Sequence, residues 1–326
     1  MENLRNRRSG RAYLWVFVAA LSLAGCGKQP EPQPQDAAAP PANRLVAGVS
    51  LCRTDGVWRA QMKTDIETAA AKHPNLQFVI LDAENDAAKQ QAQLEEFLSS
   101  RVSLAIVSPK DAQAVTEPVA KLIEAGIPVI VLDRAVIGDK YSCFVAADPR
   151  QIGMMAGKWL ANLLKDKGNI VEIEGPVDSL QAQDIHGAFR RQLRNPGYHF
   201  VFDECVDPPK VEAGKLMTEL LGHIELIDAV FAYDDAAAKA AYDAAKAVGR
   251  ERNMLFVGIG GMPAEGATYV SQGILNASFL YPTGGTEAVD AAAKILQGEV
   301  VPKRIVPASR AFIRDPGQPS NGMPQP

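Results

Sequence analysis

The chain has 326 residues, is 47% hydrophobic and 22% charged, and sets 34 Lys and Arg against 38 Asp and Glu for a formal net charge of -4. That composition is enough for one large or two medium hydrophobic cores and excludes global disorder, and without a basic excess it excludes a reader of the nucleic-acid backbone. The four cysteines form no Cys-x-x-Cys, and His73, His186, His199 and His223 lack ligand spacing, so no metal site and no cofactor are expected.

Arg5, Arg7, Arg8 and Arg11 precede an apolar run from Ala12 to Ala24. That run, about 13 residues against the roughly 20 needed to span a bilayer, reads as the h-region of a signal peptide at 1–25. It ends in Leu23-Ala24-Gly25-Cys26, which resembles a bacterial lipobox and makes Cys26 the expected lipidation site and mature N-terminus. The expected location is the periplasm or cell envelope, with the chain tethered to a membrane through its lipid. Residues 26–43 are rich in Pro, Gln and Ala, the composition of an extended spacer that reaches roughly 50 Å at about 3.1 Å per residue. Cys52, Cys143 and Cys205 remain, an odd number that leaves open one disulfide or three buried thiols.

From Leu45 onward, short apolar runs alternate with stretches of helical period every 25 to 30 residues, the spacing of βαβ units. Strands are predicted over 45–50, 76–81, 104–107 and 129–132, with helices over 58–72, 87–101 and 115–125 between them. Gly126-Ile127-Pro128 stops the third helix and starts the fourth strand. After Asp148-Pro149 the pattern repeats, with strands over 170–173, 200–202, 229–232 and 255–258 and helices over 151–165, 182–193, 211–221 and 236–248. Segments 142–148 and 276–282 read as extended crossings, followed by a helix over 286–296 and a short strand near Ile305. The implied fold class is α/β, two similar doubly wound parallel-sheet lobes joined by a three-segment hinge. One lobe takes 44–147 plus 280–306, the other 148–279 plus 307–317, and 318–326 reads as a disordered tail.

In open parallel sheets, ligands bind beyond the carboxyl ends of the strands. That rule selects loops 50–59, 82–85, 108–109 and 133–134 of the first lobe and 175–181, 233–235 and 260–263 of the second. Asp133-Arg134 places a carboxylate beside a five-donor guanidinium, a pair able to hold adjacent hydroxyls or simply each other. Asp55, Trp58 and Arg59 offer an indole face and a donor fork, although an aromatic near a helix start more often packs than binds. Of Asp234 and Asp235, one can cap the next helix while the other faces a ligand. Gly258-Ile259-Gly260-Gly261 lacks the third glycine of a dinucleotide loop, and no Walker loop or nucleophile elbow occurs.

This layout, with Val57-Trp58-Arg59, Ile127-Pro128-Val129-Ile130-Val131-Leu132-Asp133-Arg134, Val230-Phe231-Ala232-Tyr233-Asp234-Asp235 and Val257-Gly258-Ile259-Gly260-Gly261-Met262-Pro263, resembles the type I periplasmic binding proteins of bacterial ABC importers, in the ribose- and galactofuranose-binding branch. The resemblance covers nearly the whole mature body. It implies that Trp58, Arg59, Asp133 and Arg134 contact a sugar, that Asp234 stands where an asparagine is usual, and that the partners are a carbohydrate-like small molecule and a transporter permease. The chain departs from the pattern at Ile185, where an arginine is usual, at Gly260, where an aspartate is usual, and at Leu280, where a polar residue is frequent. At about 1 kcal/mol per lost hydrogen bond, three such losses weaken sugar binding about 100-fold. The expectation is therefore a ligand with a polar end on Asp133, Arg134 and Arg59 and a less hydroxylated end toward the second lobe. A monomeric receptor that feeds a permease is the leading reading, and the same receptor feeding a sensor kinase or chemoreceptor is the alternative. An enzyme is not expected because no nucleophile–base pair stands out, and a lipoprotein that has lost its ligand is the third possibility.

Overall fold

The structure is a computed structural model that describes residues 45–205 and 209–314. The expected signal peptide, Cys26, the tether and the tail at 318–326 lie outside the described residues, as does the side chain of Cys205.

Strand and helix alternate as β1 (Leu45–Leu51), α1 (Val57–Ala70), β2 (Leu76–Asp82), α2 (Ala87–Ser99), β3 (Leu104–Ser108), α3 (Ala112–Glu124), β4 (Val129–Leu132) and β5 (Cys143–Val145). The second run is α4 (Pro149–Leu164), β6 (Gly168–Glu174), α5 (Leu180–Arg190), β7 (Tyr198–Cys205), α6 (Pro209–His223), β8 (Ala229–Ala232), α7 (Asp235–Ala247), β9 (Leu255–Gly260), α8 (Gly266–Ser271) and β10 (Ala277–Leu280). The last elements of the described residues are α9 (Gly285–Leu296), β11 (Arg304–Ile305) and β12 (Ala311–Ile313).

One sheet has the order β11-β5-β4-β3-β1-β2, parallel throughout. The other has the order β12-β10-β9-β8-β6-β7 and is parallel except where β12 pairs antiparallel with β10. Strands β3, β4 and β8 are buried at every position, because helices cover both faces of each sheet. Ile106 and Ile130 pack under α1 and α9, while Val107 and Val131 pack under α2 and α3. In the second sheet Val171 and Val230 face α6 and α7, and Ile170 and Phe231 face α4 and α5.

The segments expected as extended crossings contain β5 and β10, and among the described residues the chain passes from one sheet to the other at 146–148, 281–284 and 306–310. β5 and β12 are three residues long, too short for a periodicity to show in sequence. Helix α3 starts three residues earlier than expected because Asp111 caps it by accepting from the Ala114 N–H. Pro118 lies inside that helix, and the Ala114 carbonyl that its missing N–H would have used accepts instead from Gln91 of α2 at 2.7 Å. Cys52 and Cys143 are buried free thiols. Among the described residues, no helix is long and apolar enough to cross a membrane.

Candidate functional site

Loops from the carboxyl ends of both sheets line one cavity of about 240 Å³, below the range of about 300–1,000 Å³ usual for drug-sized ligands. On the first-sheet wall, Arg59 sits in the first turn of α1 and is only 8% exposed. Its guanidinium donates to Asp133 Oδ2 at 2.8 Å and to Ser108 Oγ at 3.2 Å, and lies 4.7 Å from the centroid of the Trp58 ring. Behind it runs a buried polar relay. Gln90 donates to the Ser108 carbonyl at 3.0 Å and to Ser50 Oγ at 3.2 Å, and Ser50 donates to Gln93 Oε1 at 2.8 Å. Every member has a partner, so the relay stiffens the wall instead of leaving polar groups stranded.

Asp133 adopts φ 69°, a left-handed conformation that aspartate tolerates better than most residues. Its N–H donates to the Val145 carbonyl at 2.8 Å, and its side chain is held by Arg59, so both ends of the residue are fixed. Arg134 lies more loosely, with Nη1 3.3 Å from the Lys110 carbonyl and Nε 4.0 Å from Asp133 Oδ2. Trp58 Nε1 donates to the Tyr281 carbonyl at 2.7 Å, and the two rings meet edge to face at 5.9 Å. This contact joins α1 to the crossing that follows β10.

The second-sheet wall is built from helix starts and loops. Ser179 caps α5 and Asp234 caps α7, accepting from the Ala182 and Ala237 N–H groups. Asp235 is 2% exposed, and its two oxygens accept from Ser278 Oγ and the Gly261 N–H, each at 2.6 Å. Burial, with help from Asp234 and Glu265, pushes its carboxyl up to about 7 against those two hydrogen bonds. Burial also raises the phenols of Tyr233 and Tyr281, which stay neutral hydrogen-bonding groups.

Six of the nine predicted ligand positions line the cavity, namely Trp58, Arg59, Asp133, Arg134, Asp234 and Gly260. The other three do not. Asp55 is exposed and pairs with Arg53 at 3.5 Å. Ile185 is 1% exposed in the core shared with Ile152 and Phe189, and its carbonyl lies 2.3 Å from where a Cβ on Gly153 would sit, so α4 and α5 approach backbone to backbone there. Leu280 ends β10 in register with Gly260, and the next residue, Tyr281, lines the cavity instead. Alternation along a strand separates the two faces, so an error of one residue exchanges them.

The second wall is therefore not depleted of polar groups, contrary to the sequence expectation. Ser179, Gln181, Tyr233, Asp234, Asp235 and Glu265 all line it. Gly260 is the instructive case. At φ 139° a Cβ there would come 2.6 Å from Asp235 Oδ2, so the carboxylate of a neighbouring helix fills the space that an aspartate at this position would need.

Away from the cavity, β6 and α5 bring His186 Nδ1 to 3.0 Å from Glu172 Oε1 and 3.1 Å from Glu174 Oε1, a juxtaposition that histidine spacing in sequence did not show. Donating to the Glu172 carboxylate raises the His186 pKa, and burial raises that of Glu174. Arg190 donates to the other Glu172 oxygen at 2.7 Å, so the group satisfies itself as an ion-pair cluster.

A family model described as a periplasmic binding protein domain matches residues 47–300. The ribose import binding protein of Bacillus subtilis (strain 168) is 26% identical over 300 residues, 89% of this chain and 94% of that protein. A putative rhizopine-binding protein of Rhizobium meliloti is 30% identical over 276 residues, 81% of this chain and 88% of that protein. Among solved structures, the fructose-binding periplasmic domain of a hybrid two-component system is 34% identical with a TM-score of 0.71, over 83% of this chain and 91% of that one. An ABC transporter solute-binding protein from Bacillus halodurans C-125 with bound myo-inositol is 27% identical with a TM-score of 0.73, over 83% and 94%.

Proposed function

Because the chain belongs to the periplasmic binding protein domain family, whose members are substrate-binding proteins, we infer that it captures a small polyhydroxylated molecule between its two sheets and presents it to an ABC transporter permease. The observation that carries this reading is the braced Arg59–Asp133 pair, which faces hydroxyl, amide and carboxylate groups across a cavity small enough for a monosaccharide-sized ligand. A fixed guanidinium and carboxylate side by side give a ring of hydroxyls both donors and acceptors at little further ordering cost. Trp58, Tyr233 and Tyr281 also line the cavity, and aromatic surface suits the apolar C–H groups of a sugar or cyclitol. Bound ligand favours whichever arrangement of the lobes it contacts better, and that arrangement is what a permease recognises. The lipobox at Cys26 supplies the membrane tether.

A thermal-shift screen of the purified protein against pentoses, hexoses and cyclitols tests this reading. Ligand at 100 times its dissociation constant adds about 2.7 kcal/mol, enough to raise the midpoint by several degrees. A shift with at least one such compound is expected, and silence across the panel would favour a lipoprotein that binds no such ligand. Cys26→Ser is expected to move the protein from the membrane fraction to the soluble fraction. The likeness to a periplasmic domain of a hybrid two-component system favours a second reading, in which the listener is a sensor kinase. Co-purification with a kinase instead of a permease would select it.

A further inference from the structure

The ion-pair cluster between β6 and α5 has the geometry of a metal site. Glu172 and Glu174 stand two residues apart on β6, so both side chains leave the same face of the strand, and His186 of α5 meets them there. His186 Nδ1 lies 3.0 Å from Glu172 Oε1 and 3.1 Å from Glu174 Oε1, and the three atoms all lie within 4.8 Å of one another. A proton on Nδ1 points to one of those oxygens at a time. It goes to Glu172, and among the described residues the Glu174 carboxylate takes part in no hydrogen bond. A cation bonds to all three atoms. With metal–ligand distances of about 2.0–2.2 Å, the edges of such a site run from about 3.0 Å at right angles to about 3.4 Å in a tetrahedron. The two contacts to Nδ1 therefore need to open by a few tenths of an ångström at most, and the metal displaces one proton and no outside partner.

The surroundings fit the same reading. Arg190 Nε donates to Glu172 Oε2 and Nη2 to Asp203 Oδ2, each at 2.7 Å, and its guanidinium lies 3.5 Å from the centroid of the Phe200 ring. Glu172, only 1% exposed, is thus held from behind with Oε1 turned to His186, the outer support that a metal-binding carboxylate needs. Three carboxylates share one guanidinium, and a divalent cation beside a neutral imidazole offsets the remainder. Glu174 and His186 are half-buried, so an ion enters from solvent and water completes its shell.

We propose that Glu172, Glu174 and His186 bind a divalent transition-metal cation, with zinc the best fit. One imidazole with two carboxylates suits zinc, whereas calcium and magnesium take oxygen ligands. The site lies outside the cavity and stands whatever the cavity binds. The segment between its ligands carries Ser179 and Gln181 of the cavity wall, so the metal ties together the two ends of that segment. Calorimetric titration of the purified, untagged protein with zinc chloride, after EDTA treatment and desalting, tests the proposal. One zinc per chain with micromolar or tighter affinity is expected, and zinc at about 100 times its dissociation constant should raise the melting midpoint by several degrees. Glu174→Gln should leave the metal-free melting midpoint unchanged and weaken zinc binding by about tenfold or more, the scale of losing even an outer partner of a metal ligand. His186→Gln should weaken it at least as much, while His73→Gln, in the other lobe, should not change it. Cobalt(II) bound in place of zinc should give visible d–d absorption that both cluster variants alter. Absence of zinc binding up to millimolar concentration, affinity that survives in the folded Glu174→Gln and His186→Gln proteins, or calcium bound as tightly as zinc would overturn the proposal.

Discussion

The two walls of the cavity reach a polar surface by different routes. The first wall is a set of side chains locked from behind, in which Gln93, Ser50, Gln90 and Ser108 form a buried relay that ends at Arg59 and Asp133. The second is made of helix starts and glycine-rich loops, in which Asp235 occupies space left open by Gly258, Gly260 and Gly266. The contrast teaches that a lost polar residue need not mean a lost polar contact. A glycine at the expected position can admit a carboxylate from a neighbouring element.

The largest effect should come from Arg59→Ala. It leaves the buried Asp133 carboxylate with only the looser Arg134 at 4.0 Å, and breaking a buried pair from one side costs about 3–5 kcal/mol. Urea unfolding would show it, and a loss near zero would mean that the first wall is not braced as described. Gly260→Ala attacks the second wall, combining φ 139° with a 2.6 Å approach to Asp235, and should cost about 1–3 kcal/mol. The loss should shrink in an Asp235→Ala background, a coupling that a double-mutant cycle measures. If it does not, Asp235 is not what fills the glycine space.

A paired comparison then separates lining from core. Tyr281→Phe should weaken binding of whichever ligand the screen identifies by about fivefold, near 1 kcal/mol for one hydrogen bond, with little change in stability. Ile185→Val should lower stability by about 0.5–1.5 kcal/mol and leave affinity unchanged. The reverse pattern would return Ile185 to the site. The smallest effect should be the pH dependence contributed by His186, which is 35% exposed in its side chain and so screened by solvent. Its pKa is raised in the folded state, so its stabilisation is fully present below the ordinary histidine value and fades as pH rises through the folded value. The stability gap between the native protein and His186→Asn should accordingly be wider at pH 5.5 than at pH 8.5, as read by urea midpoints.

Much of this was visible in sequence, for physical reasons that also explain the rest. The Ile127-Pro128 start and the apolar run into Asp133-Arg134 mark a buried parallel strand with its functional residues at the carboxyl end, and the structure has β4 there. Repetition of strand and helix after Asp148-Pro149 revealed the second lobe, because Pro149 at the first helical position and Asp148 as cap form a strong local start signal. Tyr281 was missed because strand parity cannot be read from a four-residue strand whose edge is uncertain by one residue. Gln90 and Gln93 were missed because glutamine on a helix reads as solvent-facing, and only tertiary contact with Ser50 and Ser108 buries it. Glu265 lies beyond the loop that the strand-end rule selected, brought back by the turn before α8.

The central claim is that one ligand bridges both walls. Calorimetric titration of the best-binding compound into the native protein, Arg134→Ala and Gln181→Ala tests it most directly, since each variant removes one partly exposed lining side chain from a different wall. Single-site binding that weakens in both variants, by about fivefold or more for each lost hydrogen bond, is the result expected of a two-walled site. Undiminished affinity in either folded variant would contradict it.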